Sequence, residues 1–385
     1  MLPNKTKIGL IGGGQLGKML IEAAQPWNTH FHILEQNNAP AANVANEYSI
    51  GDITSSLDIF ELAEKTEVLT YEIEHINVDA LLELEKQGKR IIPSPALLEI
   101  IQDKGLQKLF YEHHQIPTLD FELVNNQTEW NDKLLQLKGD KFVAKLRKGG
   151  YDGKGVQILN KREILENYSL IPFSEPSVLE QFLPGCKELS VMVARNAKGE
   201  IKTYPTVEME FNPTSNLVEY LFAPADISNE INEKAQRIAM DAIIKLKGEG
   251  VFAVEMFLEM SSGNVYVNEI APRPHNSGHH TIEACYTSQY EQLNRILLGL
   301  PLGNTDLIQP AAMLNIIGPE GVNGEYRLKY TDKLLEIPGV YIHLYNKKES
   351  KPNRKMGHIT VMADSLEKVK EKAMQVKSLI EIESV

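Results

Sequence analysis

The chain has 385 residues, 42% of them hydrophobic, and a formal net charge of −12. That length exceeds a single core and predicts two or three domains, while the acidic balance argues against a general nucleic-acid-binding surface. Cys186 and Cys285 lie far apart and outside any C-x-x-C spacing, which disfavours a disulfide scaffold or structural zinc and fits a reducing cytoplasm. The first apolar run, Ile8 to Ile11, is too short and glycine-rich for a signal peptide. No run approaches the length of a membrane span, so neither membrane nor nucleic acid is an expected partner.

Residues 1–95 predict a parallel α/β domain. KIGLIG reads as a strand, LGKMLIEAAQPW as a helix, FHILEQ as a strand, SLDIFELAEK as a helix and EVLTYE as a strand; HINVDALLELEKQG is then a helix and RIIPS a strand. This βαβαβαβ series with short loops implies a sheet covered on both faces. Gly12, Gly14 and Gly17 open the first helix in G-x-G-x-x-G spacing, and Glu35 follows one strand later. Such a loop holds NAD, holds another phosphate, or only makes a tight strand-to-helix turn. Four strands are too few for a complete two-half dinucleotide fold.

Residues 96–296 predict an α+β domain: helical PALLEIIQDKGLQKLFYEH, then strand pairs with hairpin turns at NAKG and SSGN. Residues 297–385 predict a small β-rich domain with a charged loop, NKKESKPNRK, and a final amphipathic helix.

Three stretches of the middle domain carry chemistry. In AKLRKGGYDGKGV, Lys145 lies on a strand and a loop with Gly149, Gly150, Gly153 and Gly155 follows. Its N–H groups, with Lys148 or Lys154, suit a lid over phosphates; the alternative is a glycine-rich exposed hairpin. In VLEQFLPGCKELSV, the backbone of Glu180, Gln181, Phe182 and Leu183 suits an adenine edge and Glu188 suits ribose hydroxyls; the alternative is a surface hairpin with a solvated Glu. In FAVEMFLEMSSGNVYVNEIAPR, Glu255 and Glu269 each interrupt an apolar strand, and the SSGN turn pairs the two strands. Two carboxylates on one face demand a cation, and oxygen ligands beside phosphate describe a Mg²⁺–nucleotide site. The neighbouring pairs His113–His114 and His279–His280 diverge on a strand and converge poorly on a helix, so no transition-metal site is expected.

These motifs in this order resemble the ATP-grasp superfamily and, more narrowly, its 5-(carboxyamino)imidazole ribonucleotide synthase branch, over nearly the whole chain. GGGQLGKML, LTYEIEHI, QDKGLQK, GGYDGKG, NEIAPRPHNSGHHTIEA and RKMGH carry the likeness. Many ATP-grasp enzymes place Asn two residues after the second metal glutamate, where Ala271 stands here; the continuation from Pro272 to His279 marks the branch. The resemblance implies an N-terminal α/β domain, a central ATP-grasp domain with a lid over about residues 120–185, and a β-rich C-terminal domain. It implies that ATP phosphorylates bicarbonate to carboxyphosphate and that the exocyclic amine of 5-aminoimidazole ribonucleotide takes the carboxyl group, in purine biosynthesis. A homodimer is a family expectation.

By motif, ATP falls to Lys104, Lys145, Gly150, Tyr151, Asp152, Gly153, Lys154, Gly155, Val156, Glu180, Gln181, Phe182, Leu183, Glu188, Phe211, Asn268 and Glu269. Mg²⁺ falls to Glu255 and Glu269, and bicarbonate and the aminoimidazole to Tyr151, Asp152, Arg273, His275 and Asn276. Asp152 and His275 are both candidates to accept the amine proton. Two positions depart from the family: Lys104 where Arg is common, which loses the bidentate fork, and Phe211 where a His is expected. With ATP assigned elsewhere, the opening loop at Gly14, Gln15 and Leu16 is expected to bind the ribonucleotide phosphate or to shape the cleft beside it. The basic loop is read as capture of that 5′-phosphate by Arg354 with Lys347 or Lys355, its alternative being solvated surface. Two other readings compete: another ATP-grasp ligase, against which Ala271 counts, and an inactive nucleotide-binding module, against which Lys145, Glu255 and Glu269 count.

Overall fold

A computed structural model describes residues 6–150, 155–213 and 215–385. The first strand, β1 (Lys7–Ile11), buries Ile8, Leu10 and Ile11 completely. The elements α1 (Gln15–Ala24), β2 (His30–Glu35), β3 (Glu47–Ile50), α2 (Ser56–Glu64), β4 (Val68–Tyr71), α3 (Val78–Lys86) and β5 (Arg90–Ile91) follow. Ser55 and Asn77 cap α2 and α3 by accepting the N–H of Asp58 and Ala80. The strands form one parallel sheet in the order β3-β2-β1-β4-β5. Its fifth member, β3, is absent from the sequence-derived series because EYSI is polar and lies at the sheet edge. A short 3₁₀ turn, Pro40–Asn43, rather than an α-helix, joins β2 to β3.

The glycine loop between β1 and α1 is filled from within. The Glu72 carboxylate, just past β4, accepts the N–H of Gly14 and, at 2.6 Å, that of Gly17, while Glu35 accepts the Gly13 N–H at 3.2 Å. A Cβ on Gly14 would stand 2.6 Å from Glu72 Oε1, and Gly12 has φ +96°, so both glycines answer to this close approach. The helix N-terminus thus already has its anion.

The helical stretch after residue 95 is two helices, α4 (Pro95–Ile101) and α5 (Lys104–His113). Asp103 breaks it: its carboxylate caps α5 through the N–H of Gly105 (2.8 Å) and Leu106 (3.2 Å) and also clamps the Arg147 guanidinium at 2.8 and 2.7 Å. Then come β6 (Phe121–Val124), α6 (Trp130–Gln136), β7 (Lys141–Leu146), β8 (Val156–Asn160), α7 (Lys161–Glu166) and β9 (Ser177–Gln181). These strands make a separate antiparallel sheet, β6-β9-β7-β8, over a core of Trp130, Leu134, Phe142, Ile164 and Leu179. The strand β9 therefore pairs inside this small sheet and forms no hairpin with the strand after it.

The remaining strands of the middle region are β10 (Lys187–Arg195), β11 (Ile201–Thr203), β12 (Val207–Phe211), β13 (Val218–Ala223), β14 (Gly250–Glu259) and β15 (Asn264–Ala271). Helices α8 (Asn229–Lys245), α9 (Thr281–Ala284) and α10 (Gln289–Leu297) accompany them. The C-terminal part adds β16 (Ala311–Ile317), β17 (Tyr326–Leu328), α11 (Thr331–Leu335), β18 (Val340–Leu344), β19 (Lys355–Met362), α12 (Leu366–Lys377) and β20 (Ile382–Ser384). Among the described residues, nine strands form one sheet, β15-β14-β10-β12-β13-β16-β19-β18, with β11 beside β10. The C-terminal strands β16, β19 and β18 thus extend the central sheet, with Tyr220 of β13 opposite Leu314 of β16. Helix α8 seals one part of it through Ala235, Ala239 and Ile243, and α12 seals another through Val369, Ala373 and Val376.

Two outcomes follow. Asp103→Ala removes a cap and the Arg147 clamp together, a loss of about 2–4 kcal/mol that calorimetry will read as a lower thermal midpoint. With Glu72 in the glycine loop, titration calorimetry with NAD or NADP will show no binding in the micromolar range.

Candidate active site

A cleft of about 1060 Å³ opens where the three regions meet. Its metal-binding potential lies on the β14–β15 hairpin, which places Glu255 directly opposite Glu269, with a bulge just after Glu255. Burial, then the charge of Glu269, raises the Glu255 carboxyl above the usual range; the Lys104 ammonium, paired with Glu269, holds Glu269 below it. This is an oxygen-only donor set, two acids with the Asn268 amide beside them. It fits a hard divalent ion such as Mg²⁺, whose other ligands come from phosphate and water. Among the described residues no group of three or more His, Cys, Asp or Glu could hold a metal by itself.

Cations gather at the same end. Lys145 Nζ donates to Asn268 Oδ1 at 2.7 Å and pairs with Glu180, whose other oxygen meets Lys108. The Glu180 side chain is buried between these two lysines rather than solvated. Strand pairing flanks Glu180 with Phe121 and Val143, and the Gln181 N–H goes to the Asp120 carbonyl at 2.8 Å, so only Phe182 and Leu183 lie beyond the ladder. Glu188 is also no solvated hairpin acid: burial lifts it to about 7, against the pull of Lys145. Phe211, at the end of β12, lines this wall as an apolar ring. Gly150 and Val156 border the cleft, and Gly155, with φ +77°, accepts the Leu146 N–H at 2.8 Å. Tyr151, Asp152, Gly153 and Lys154 lie outside the described residues.

The other end is built from the turn after β15. Arg273 Nε lies 2.8 Å from Glu74 Oε1, a carboxylate of the N-terminal domain. His275 Nδ1 is 3.0 Å from Ser277 Oγ, which is 2.8 Å from Ser190 Oγ, and His275 Nε2 is 3.7 Å from Glu255. That chain sets the imidazole plane. Asn276 borders the cleft, but its amide is engaged by Asn315 of β16, at 2.9 and 3.1 Å, so it positions the turn rather than offering free donors.

Gly14, Gln15, Leu16 and Lys355 line the cleft together, whereas Arg354 and Lys347 do not. Arg354 Nη1 donates to the Glu349 carbonyl at 2.8 Å and Lys347 Nζ to the Lys355 carbonyl at 2.6 Å, so of the three cations expected to meet the phosphate it is Lys355 that borders the cleft. Sequence reasoning missed Glu72, Glu74, Lys108 and Arg147. Lys108 carried a signal: it stands four residues after Lys104, on the same face of α5.

Comparisons with known proteins agree with this geometry. The description "ATP-grasp domain" matches residues 109–290, "Ribonucleotide synthetase preATP-grasp domain" residues 5–102, and "Phosphoribosylaminoimidazole carboxylase C-terminal domain" residues 311–372. The phosphoribosylaminoimidazole carboxylase of Schizosaccharomyces pombe is 39% identical; the alignment covers 94% of this chain but 66% of that protein. The chain therefore spans slightly less than two thirds of that relative's length. The N5-carboxyaminoimidazole ribonucleotide synthase of Synechococcus elongatus is 35% identical, over 97% of this chain and 93% of its own. The crystal structure of the Thermotoga maritima synthetase superposes with a TM-score of 0.88 at 41% identity, covering 99% of this chain and 100% of that one. The Aspergillus clavatus enzyme, solved with ADP and 5-aminoimidazole ribonucleotide, gives 0.87 at 32% identity, covering 98% and 100%. The chain belongs to the N5-carboxyaminoimidazole ribonucleotide synthase family of ATP-grasp ligases.

Proposed function

We propose that the protein couples ATP cleavage to carboxylation of the exocyclic amine of 5-aminoimidazole ribonucleotide by bicarbonate, through carboxyphosphate, as a step of purine biosynthesis. One observation carries the reading: a single cleft joins an acid-and-lysine end suited to Mg²⁺–ATP with an end formed by Arg273, His275, the Gly14–Leu16 loop and Lys355. A relative of the same fold, solved with ADP and the ribonucleotide, supports it.

Glu255 and Glu269 would hold Mg²⁺, which when bound spreads the charge of the ATP phosphates. Lys145 and Lys104 neutralise the phosphoryl group in transit from ATP to a bicarbonate oxygen. The Arg273 fork, oriented by Glu74, grips the carboxylate of the carboxyphosphate so formed. The amine nitrogen then bonds to the carboxyl carbon, the C–O bond to phosphate breaks, and the amine proton passes to Asp152 or to His275. An intermediate that hydrolyses so readily requires water to be excluded once the substrates are bound. Lys355 meets the ribonucleotide 5′-phosphate. A cytoplasmic homodimer is the assembly we assign; no helix among the described residues is long and apolar enough to cross a membrane.

ADP release measured with and without the ribonucleotide, at varied bicarbonate, tests the whole reading: release must rise with both, and indifference to the ribonucleotide would refute it. Glu269→Gln will lower turnover at least ~100-fold at saturating Mg²⁺, since a charged oxygen is lost where phosphate charge peaks. Lys355→Ala will raise KM for the ribonucleotide by roughly 10- to 100-fold and leave KM for ATP within about threefold. Arg354→Ala is the control and will shift neither; a larger effect there than at Lys355 would reinstate the basic loop as the phosphate grip.

A further inference from the structure

Glu180 is 1% exposed and faces two ammonium groups at once. One oxygen meets Lys145 of β7, which lines the main cleft; the other meets Lys108 of α5, which instead borders a small side cavity shared with Lys104, Lys145, Asn268 and Glu269. Lys108 is 3% exposed and tied from a third side, donating to Thr118 Oγ1 at 2.7 Å, while that hydroxyl donates to the Val267 carbonyl at 2.8 Å. Lys145 has a second partner that borders the cleft, Asn268 Oδ1 at 2.7 Å. Burial, aided by the nearby charges of Lys145 and Lys104, lowers Lys108 to about 8, and Glu180 opposes that shift.

One carboxylate needs one counter-ion, so this site holds a cation in excess. The two lysines are not equivalent. Lys108 is anchored at the side cavity by Thr118 and Glu180, whereas Lys145 borders the main cleft and is the one placed to turn from Glu180 toward an incoming triphosphate. If Lys145 were the sole partner, its departure would strand a buried carboxylate, a heavy penalty. We propose that Lys108 is a resident counter-ion for Glu180 that releases Lys145 to the nucleotide phosphates, a positioning residue for ATP capture that does not itself touch ATP. The proposal rests on the assignment of Lys145 to the phosphates made above.

Calorimetric titration of the full-length protein with Mg²⁺–ADP and Mg²⁺–ATP, beside steady-state kinetics, tests it. Lys108→Met leaves Lys145 as the only counter-ion, so ATP affinity will fall about 100-fold while kcat at saturating ATP stays within about threefold. Lys108→Met with Glu180→Gln removes cation and carboxylate together and will restore affinity to within about threefold of wild type; Lys108→Arg will retain it. A Lys108→Met variant that melts earlier but binds ATP normally would show a merely structural lysine and overturn the proposal. Should that variant not fold, the double variant decides, since a persistent 100-fold loss there also overturns it. Lys145→Met separates the two readings. Normal ATP affinity in that variant sinks the phosphate assignment and the proposal with it. Lost affinity there, with normal affinity in Lys108→Met, sinks the counter-ion role alone.

Discussion

Two carboxylates held face to face by strand register dominate the energetics of this cleft. Backbone pairing of β14 with β15 leaves Glu255 and Glu269 no freedom to move apart. Their repulsion is met most directly by Lys104, which pairs with Glu269, and the larger cost falls on Glu255, whose carboxyl is raised. The rest of the site is arranged around that standing electrostatic imbalance: lysines from α5 and β7 close by, an arginine and histidine on the turn that β15 feeds. On the proposed function, a divalent ion would answer the paired carboxylates and a polyphosphate the lysines beside them.

The two ends of the cleft are held by different devices. At the acid-and-lysine end the carboxylates are paired with lysines or raised by burial, and Glu255 and Glu269 border the cleft. At the glycine loop, by contrast, Glu72 is bound into the backbone amides of Gly14 and Gly17. A motif whose chemistry invites an anion is thereby converted into a wall with an acidic face. At Gly12 and Gly14 the Glu72 side chain comes too close for a Cβ, so the close approach alone requires glycine there.

How much of the molecule is legible in its residues depends on how local each cause is. Glu255 and Glu269 stand out because each breaks an apolar alternation, and a two-strand hairpin is a local event. The β7–β8 pair and most of the parallel sheet follow from periodicity in the same way, whereas β6 and the pairing of β9 do not. The break between α4 and α5 does not, since apolar spacing runs straight through Gln102 and Asp103, and the local cap of Asp103 is reinforced by the distant Arg147. The strand β3 is hidden by its polar edge. Lys108 meets Glu180 across 72 residues, a pairing no window of sequence contains. Composition gathers the basic loop but does not say which neighbour turns inward: Arg354 and Lys355 are adjacent at the start of β19, where successive side chains take opposite sides.

The continuity of the nine-stranded sheet has a further meaning for how the chain can be divided. Family likeness suggests three modules in a row, yet β13 is stitched to β16 by four register pairs and β16 to β19 by seven. Cutting the chain near residue 297 would bare the edge of β13 in the middle of a sheet and remove α12, leaving an unpaired edge open to self-pairing. The excised piece would also take Asn315 away from Asn276 and Lys355 away from the cleft. The chain beyond that point is thus less an appendage than the far half of one woven surface, and any exchange of parts between relatives would have to respect the weave rather than the module boundaries.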